Sequence, residues 1–181
     1  AIAGGYTLVG GEVASIVDLA ELAADMTDVW AAAMAPQDDV TDILLPEIGG
    51  LTFTPGTWHS GTISVVAGAT VTLDGQGDPN SVFHFQADTT MLMGAGVKII
   101  LINGAKAENV SWALGTTLTV GSNAVIEGSI LAGTAVVFGA RAVVKGFILA
   151  GTATFGANTV VGGSVIAGSA ITFGAVTDVG G

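Results

Sequence analysis

The feature that most constrains the fold is a phrase written three times near the end of the chain: SILAGTAVVFGARAVVKG, FILAGTATFGANTVVGG and SVIAGSAITFGAVTDVGG. Ala132-Gly133 recurs as Ala150-Gly151 and Ala167-Gly168, at steps of 18 and 17. Phe138-Gly139 recurs as Phe155-Gly156 and Phe173-Gly174, at steps of 17 and 18. Glycine and β-branched residues dominate this text, so no helix can use the spacing. A period this short, with three β-rich runs divided by glycines, predicts one solenoid coil per repeat.

Composition narrows what such a stack can do. The chain has 181 residues, enough for a single domain over 1–181 with a real core. Half of it is hydrophobic and only 10% is charged. A chain this short of charge must bury much of itself or present an unusually apolar surface. The net charge is −11 and there are only four Lys and Arg residues. Phosphate neutralisation needs more cations than that, so nucleic acid and anionic membrane surfaces are not expected partners. VKIILI is one strand long, and no apolar run reaches the length of a membrane span. The absence of cysteine excludes disulfides, thiolate metal sites and a cysteine nucleophile. No leader-like segment opens the chain, which reads as mature or cytosolic.

Taken in order, residues 1–13 read as a coil fragment, because Ala3-Gly4 and Val9-Gly10 echo the phrases at the other end. Residues 15–35 break the pattern. Leu19, Leu22, Ala23, Met26, Val29, Trp30 and Ala33 recur at three- and four-residue steps and predict one amphipathic helix. Ser15 with Asp18 resembles a capping pair, and Pro36 ends the helix. Residues 36–50 read as an acidic loop. From Leu51 on, short strands and turns predict three coils ahead of the three quoted repeats. The expected architecture is therefore mainly β: a triangular solenoid of about six coils, with one long helix packed along one face.

Alternation within each run sorts the three faces. The first face (VSWALG, SILAG, FILAG, SVIAG) is apolar on both sides, and the helix is its expected cover. Trp30 and Trp112 read as helix–sheet packing. The third face carries Asn123, Glu127, Arg141, Lys145, Asn158 and Asp178 outward, which is ordinary solvent-facing chemistry. The second face differs. Its outward positions are Thr62 and Ser64, Thr90 and Leu92, Thr117 and Thr119, Ala135 and Val137, Thr152 and Thr154, Ala170 and Thr172. No charge falls among them. Strand propensity alone favours threonine. It does not explain why charge is missing from one exposed face and present on its neighbour, and an exposed, charge-free patch usually binds something.

The phrases LTFTPGTW, LDGQGDPNSVFHFQ, ILINGAKAENVSWALG and SILAGTAVVFGA resemble the microbial ice-binding proteins built as a discontinuous β-solenoid with a flanking helix. The resemblance covers residues 16–175. It implies that the second face binds ice, with thermal hysteresis and inhibition of recrystallisation, in a protein secreted by a cold-adapted microbe. It also implies a strand segment ahead of the helix, whereas text of that kind stands here at the C-terminus. The chain therefore reads as circularly permuted, with its final VGG running on into AIAGGYTLVGG.

Sites of other kinds are not expected. His59 and His84 lie on different strands without a Ser–Asp partner pattern, so no catalytic constellation and no enzyme activity are expected. Asp74-Gly-Gln-Gly-Asp78 lacks the full ligand count of a calcium loop and reads as a turn. No metal and no cofactor are expected. Asn109-Val110-Ser111 is a formal glycosylation sequon. The expected partner is an ice surface and the expected state a monomer. The alternative is a carbohydrate-binding or adhesive solenoid, although the second face offers none of the aromatic platforms or carboxylates that sugar sites combine.

Overall fold

A computed structural model describes residues 16–36, 39–43, 46–175 and 178–179. The fragment 1–13, Ser15 of the expected capping pair and the expected junction of the two chain ends lie outside these described residues. The helix α1 spans Ile16–Met34. The chain then winds into coils. The first holds β1 (Val40–Asp42) and β2 (Thr52–Phe53), and between them Glu47 forms a single parallel bridge to Ser64 of the next coil. The next holds β3 (Gly56–Ser60), β4 (Ile63–Val65) and β5 (Thr70–Asp74). Then come β6 (Phe83–Ala87), β7 (Met91–Met93) and β8 (Lys98–Ile102). Then β9 (Val110–Leu114), β10 (Thr117–Val120) and β11 (Val125–Glu127). The three repeats supply β12 (Ser129–Phe138) with β13 (Val143–Lys145), β14 (Ile148–Phe155) with β15 (Val160–Val161), and β16 (Val165–Phe173) with β17 (Asp178–Val179).

Every strand pairs in parallel with its equivalent one coil away. One ten-stranded sheet carries the first and second faces, and a seven-stranded sheet carries the third. β12, β14 and β16 run unbroken through the corner between the first two faces. The described stack holds seven coils, one more than the sequence reading of about six. The extra coil lies within residues 40–53, most of which had read as loop. Its strands are two and three residues long, too short to show a period.

The alternation of the strands fills the interior with large apolar side chains. Phe85 stacks on Trp112 at 4.3 Å, and Phe138 on Phe155 at 5.3 Å. Trp112 is fully buried, and its Nε1 donates to the carbonyl of Glu127. This corrects its assignment: Trp112 packs inside the stack, and of the pair only Trp30, a residue of the helix itself, packs between helix and sheet.

The helix covers the first face as its two-sided apolar pattern requires. Trp30 Nε1 donates to the carbonyl of Leu114 at 2.8 Å. Gly133 lies beneath that ring, where an added Cβ would meet the indole at 3.0 Å and the Gly115 carbonyl oxygen at 2.4 Å. The last helical carbonyls need partners from outside the helix. Gln86 Nε2 donates to Ala33 and Ala35, and His84 Nε2 lies 2.8 Å from the Ala33 oxygen. Each such bond contributes about 1 kcal/mol net. Val29, expected in the buried stripe, is 49% exposed.

Candidate functional site

The second face is positioned by its inward residues. Ile63, Met91, Leu118, Val136 and Ala153 are each at most 1% exposed and lock the register of the strands above and below. Each strand then ends in a glycine held against the preceding coil: the Gly121, Gly139 and Gly156 amides donate to Met93, Val120 and Phe138. The turn that follows places one residue at positive φ, namely Asn123 (59°), Arg141 (58°) and Asn158 (58°) in successive coils. Asparagine tolerates this conformation best among non-glycine residues. The same turn recurs from coil to coil, so each coil leaves the second face in the same way.

With that register, the twelve outward residues form two columns. Ser64, Leu92, Thr119, Val137, Thr154 and Thr172 stand one above another. Thr117, Ala135, Thr152 and Ala170 form the second column. Thr90 and Thr62 extend it, since they precede Met91 and Ile63, which pair with each other. Neighbouring coils are about 4.8 Å apart and the two columns about 7 Å apart. Six levels therefore span roughly 24 Å. Leu92 is 52% and Val137 40% exposed, so both hold apolar surface in water.

Among the described residues, no protein group bonds the hydroxyls of Thr90, Thr117, Thr119, Thr152, Thr154 and Thr172. Ser64 differs. Its hydroxyl donates to Glu47 Oε2 at 2.9 Å, while Glu47 Oε1 accepts from the amides of Gly49 and Val66. Glu47 thus closes the face at one end with a carboxylate that the sequence reading did not place there. The corner toward the first face is also locked. The hydroxyls of Thr89, Thr116 and Ser169 donate to Gly61, Thr89 and Gly151 of the preceding coils. Their sequence signal was a Thr or Ser standing one residue before each outward position.

The same corner explains the uneven repeat. Two residues separate the paired Ala132 and Ala135, but only one separates Ala150 and Thr152. The β14 coil is one residue shorter, and the loss falls at the corner. Ladder pairing on both flanking faces is unchanged.

The third face is more apolar than expected. Val125, Val143 and Val160 fill one outward column between Lys98 and Asp178. Glu127 is not open to solvent: its side chain is 12% exposed and pairs with Lys145 Nζ at 2.7 Å. Arg141 Nε donates to Asn123 Oδ1 at the turns. Both signs of charge remain on this face.

Elsewhere, Asp74 Oδ1 accepts from the Gln76 amide and Asn103 Nδ2, and Asp78 Oδ1 from the Asn80 amide. These are turn-closing bonds. Among the described residues, no group of three or more His, Asp or Glu side chains is placed to hold a metal. His84 Nδ1 meets Ser111 Oγ at 2.6 Å, beneath the helix. Asn109 Nδ2 donates to the Pro79 carbonyl. No described helix is long and apolar enough to cross a membrane.

Comparison with known proteins places this geometry among relatives. Residues 4–161 match the family model described as ice-binding-like. The chain is 37% identical over 104 residues to ice-binding protein 1 of Shewanella frigidimarina, covering 57% of this chain and 12% of that protein. It is 36% identical over 101 residues to an ice-binding protein of Nostoc, covering 56% of this chain and 36% of the other. The crystal structure of an ice-binding protein from the Antarctic ascomycete Antarctomyces psychrotrophicus superposes with a TM-score of 0.69 at 29% identity. That superposition covers 88% of this chain and 70% of the other.

Proposed function

The chain belongs to the ice-binding-like family, and on that premise we propose that it adsorbs to ice through the second face. The two six-membered columns carry the reading. They offer methyl and hydroxyl groups at regular spacing, on a flat sheet, with no charge between β7 and β16. Each group interacts weakly with water. A rigid array lets many such contacts engage at once, so their free energies combine without a separate ordering cost for each. The methyls of threonine, valine and alanine favour a cage-like arrangement of neighbouring water. The unpartnered hydroxyls fix that layer in register, and the ordered layer merges with the lattice. Adsorbed molecules oblige the ice front to bulge between them, and the curvature opposes further growth.

The acting form in this reading is a secreted monomer that meets ice outside the cell. None of the twelve positions carries an aromatic ring or a carboxylate, and the Glu47 carboxylate at one end is already engaged by Ser64, Gly49 and Val66, so a polysaccharide would find no stacking platform along the grid and no charge within it. The deciding experiment is direct. A single ice crystal is held just below its melting point in the purified chain, and its growth and habit are recorded. Faceted crystals that stop growing within a measurable temperature gap are expected. Growth at the rate and shape seen in buffer would overturn the proposal.

A further inference from the structure

His59 stands near the end of β3, directly in register with Asp42 of β1 on one side and Gln86 of β6 on the other. Its Nδ1 lies 2.9 Å from Asp42 Oδ1, and its Nε2 lies 2.9 Å from Asp88 Oδ1. A neutral imidazole has one N–H and can donate to only one of these carboxylates. The cation donates to both. The remaining surroundings also favour the cation. Met34, Pro36, Val40 and Gln86 line the hollow that His59 and Asp88 share, and none of them titrates. The C-terminal end of α1, the negative pole of its dipole, lies beside the same hollow. His84, the titratable residue of β6, is turned to the helix and to Ser111. Asp39, exposed ahead of β1, adds a like-signed carboxylate to the same end and forms no ion pair among the described residues.

The bridge spans three coils. Among the described residues β1 is the outermost strand of its sheet and pairs on one side only, with β3. It is three residues long, and its continuation is held by the Ile43 amide donating to the His59 carbonyl at 2.7 Å. We propose that protonated His59 is a clip that fastens this end coil of the described stack to the coils beside it, and that the clip opens when the imidazole loses its proton. The hydrogen bond to Asp88, then that to Asp42, raises the His59 pKa above its ordinary value of 6.5, with burial opposing. A raised folded-state pKa means the stabilisation is fully present below the unfolded value and is lost as pH rises through the folded one. The coil is therefore tight in mildly acidic solution and loosens toward alkaline pH. The partners are largely exposed, so the effect is modest, roughly two- to tenfold in local opening. This inference is independent of ice binding.

The test uses the full chain and NMR. The His59 ring should titrate above 6.5, and lower in Asp42→Asn and Asp88→Asn. Amide exchange at Ile43, corrected for its intrinsic pH dependence, should accelerate about two- to tenfold as pH crosses the His59 titration. In His59→Gln that acceleration should vanish. The Asn variants keep the imidazole and serve equally should the Gln variant fold poorly. Titration at or below 6.5, or an Ile43 profile shared by the native chain and His59→Gln, would overturn the clip.

Discussion

The second and third faces are two outcomes of one construction. The same coils build both. Each has a buried inward row, and each meets the same set of left-handed turns at their shared corner. Strand propensity acts on both alike, and both expose β-branched residues. Yet the third face carries Lys98, Glu127, Lys145 and Asp178 in its outward rows, while the second carries no charge from β7 to β16. The scaffold therefore accepts charge wherever strands face solvent. The uncharged grid is a separate property of the sequence, and it is the observation on which the proposed ice-binding role of the second face rests.

The comparison holds only if both faces rest on one interior. Phe155 is 2% exposed and stacks between Phe138 and Phe173. Replacing it with alanine should lower stability by about 3–5 kcal/mol, with both faces lost in one thermal transition. Two separate transitions would break the shared-core picture. The sharpest contrast comes from protrusions. Thr154→Tyr should remove most of the thermal hysteresis, while Lys98→Tyr should leave it intact, each changing stability by less than about 0.5 kcal/mol. Equal hysteresis in the two variants would dissolve the distinction between the faces. The last effect belongs to the charged face alone and leaves ice binding untouched. Lys145→Ala leaves the largely buried Glu127 carboxylate without its cation and should cost about 1–3 kcal/mol. Adding Glu127→Gln should recover most of that loss in chemical denaturation, with hysteresis unchanged throughout.

Much of this was legible because the repeat fixes three things at once. The glycine after Phe138, Phe155 and Phe173 sets which residues point inward, so Thr119, Val137, Thr154 and Thr172 fall into one column from the text alone. The helix was legible from its stripe up to Trp30, although Val29 sits at the edge of that stripe and stays exposed. The first coil was not legible. Val40–Asp42 is too short to alternate, and acidic residues around it hide the strand. Glu47 was missed for a different reason. Its bonds reach Ser64 and Val66, far along the chain, and no local pattern announces them. The valines of the third face lay in plain text, but the charges beside them drew the reading. Trp112 could not be assigned by pattern, because its strand is apolar on both sides.

The corner between the first two faces has a consequence for how such a chain can change. Coils of 17 and 18 residues sit side by side, and the odd residue is absorbed where Gly151 stands opposite Gly133 and Thr134. Copying errors that add or drop one residue there leave the flanking ladders in step. Whole coils can then be duplicated or deleted as units, each moving the length of the uncharged grid by about 4.8 Å. The reach of the surface becomes an inheritable dimension, adjusted in whole steps, while its pattern stays fixed.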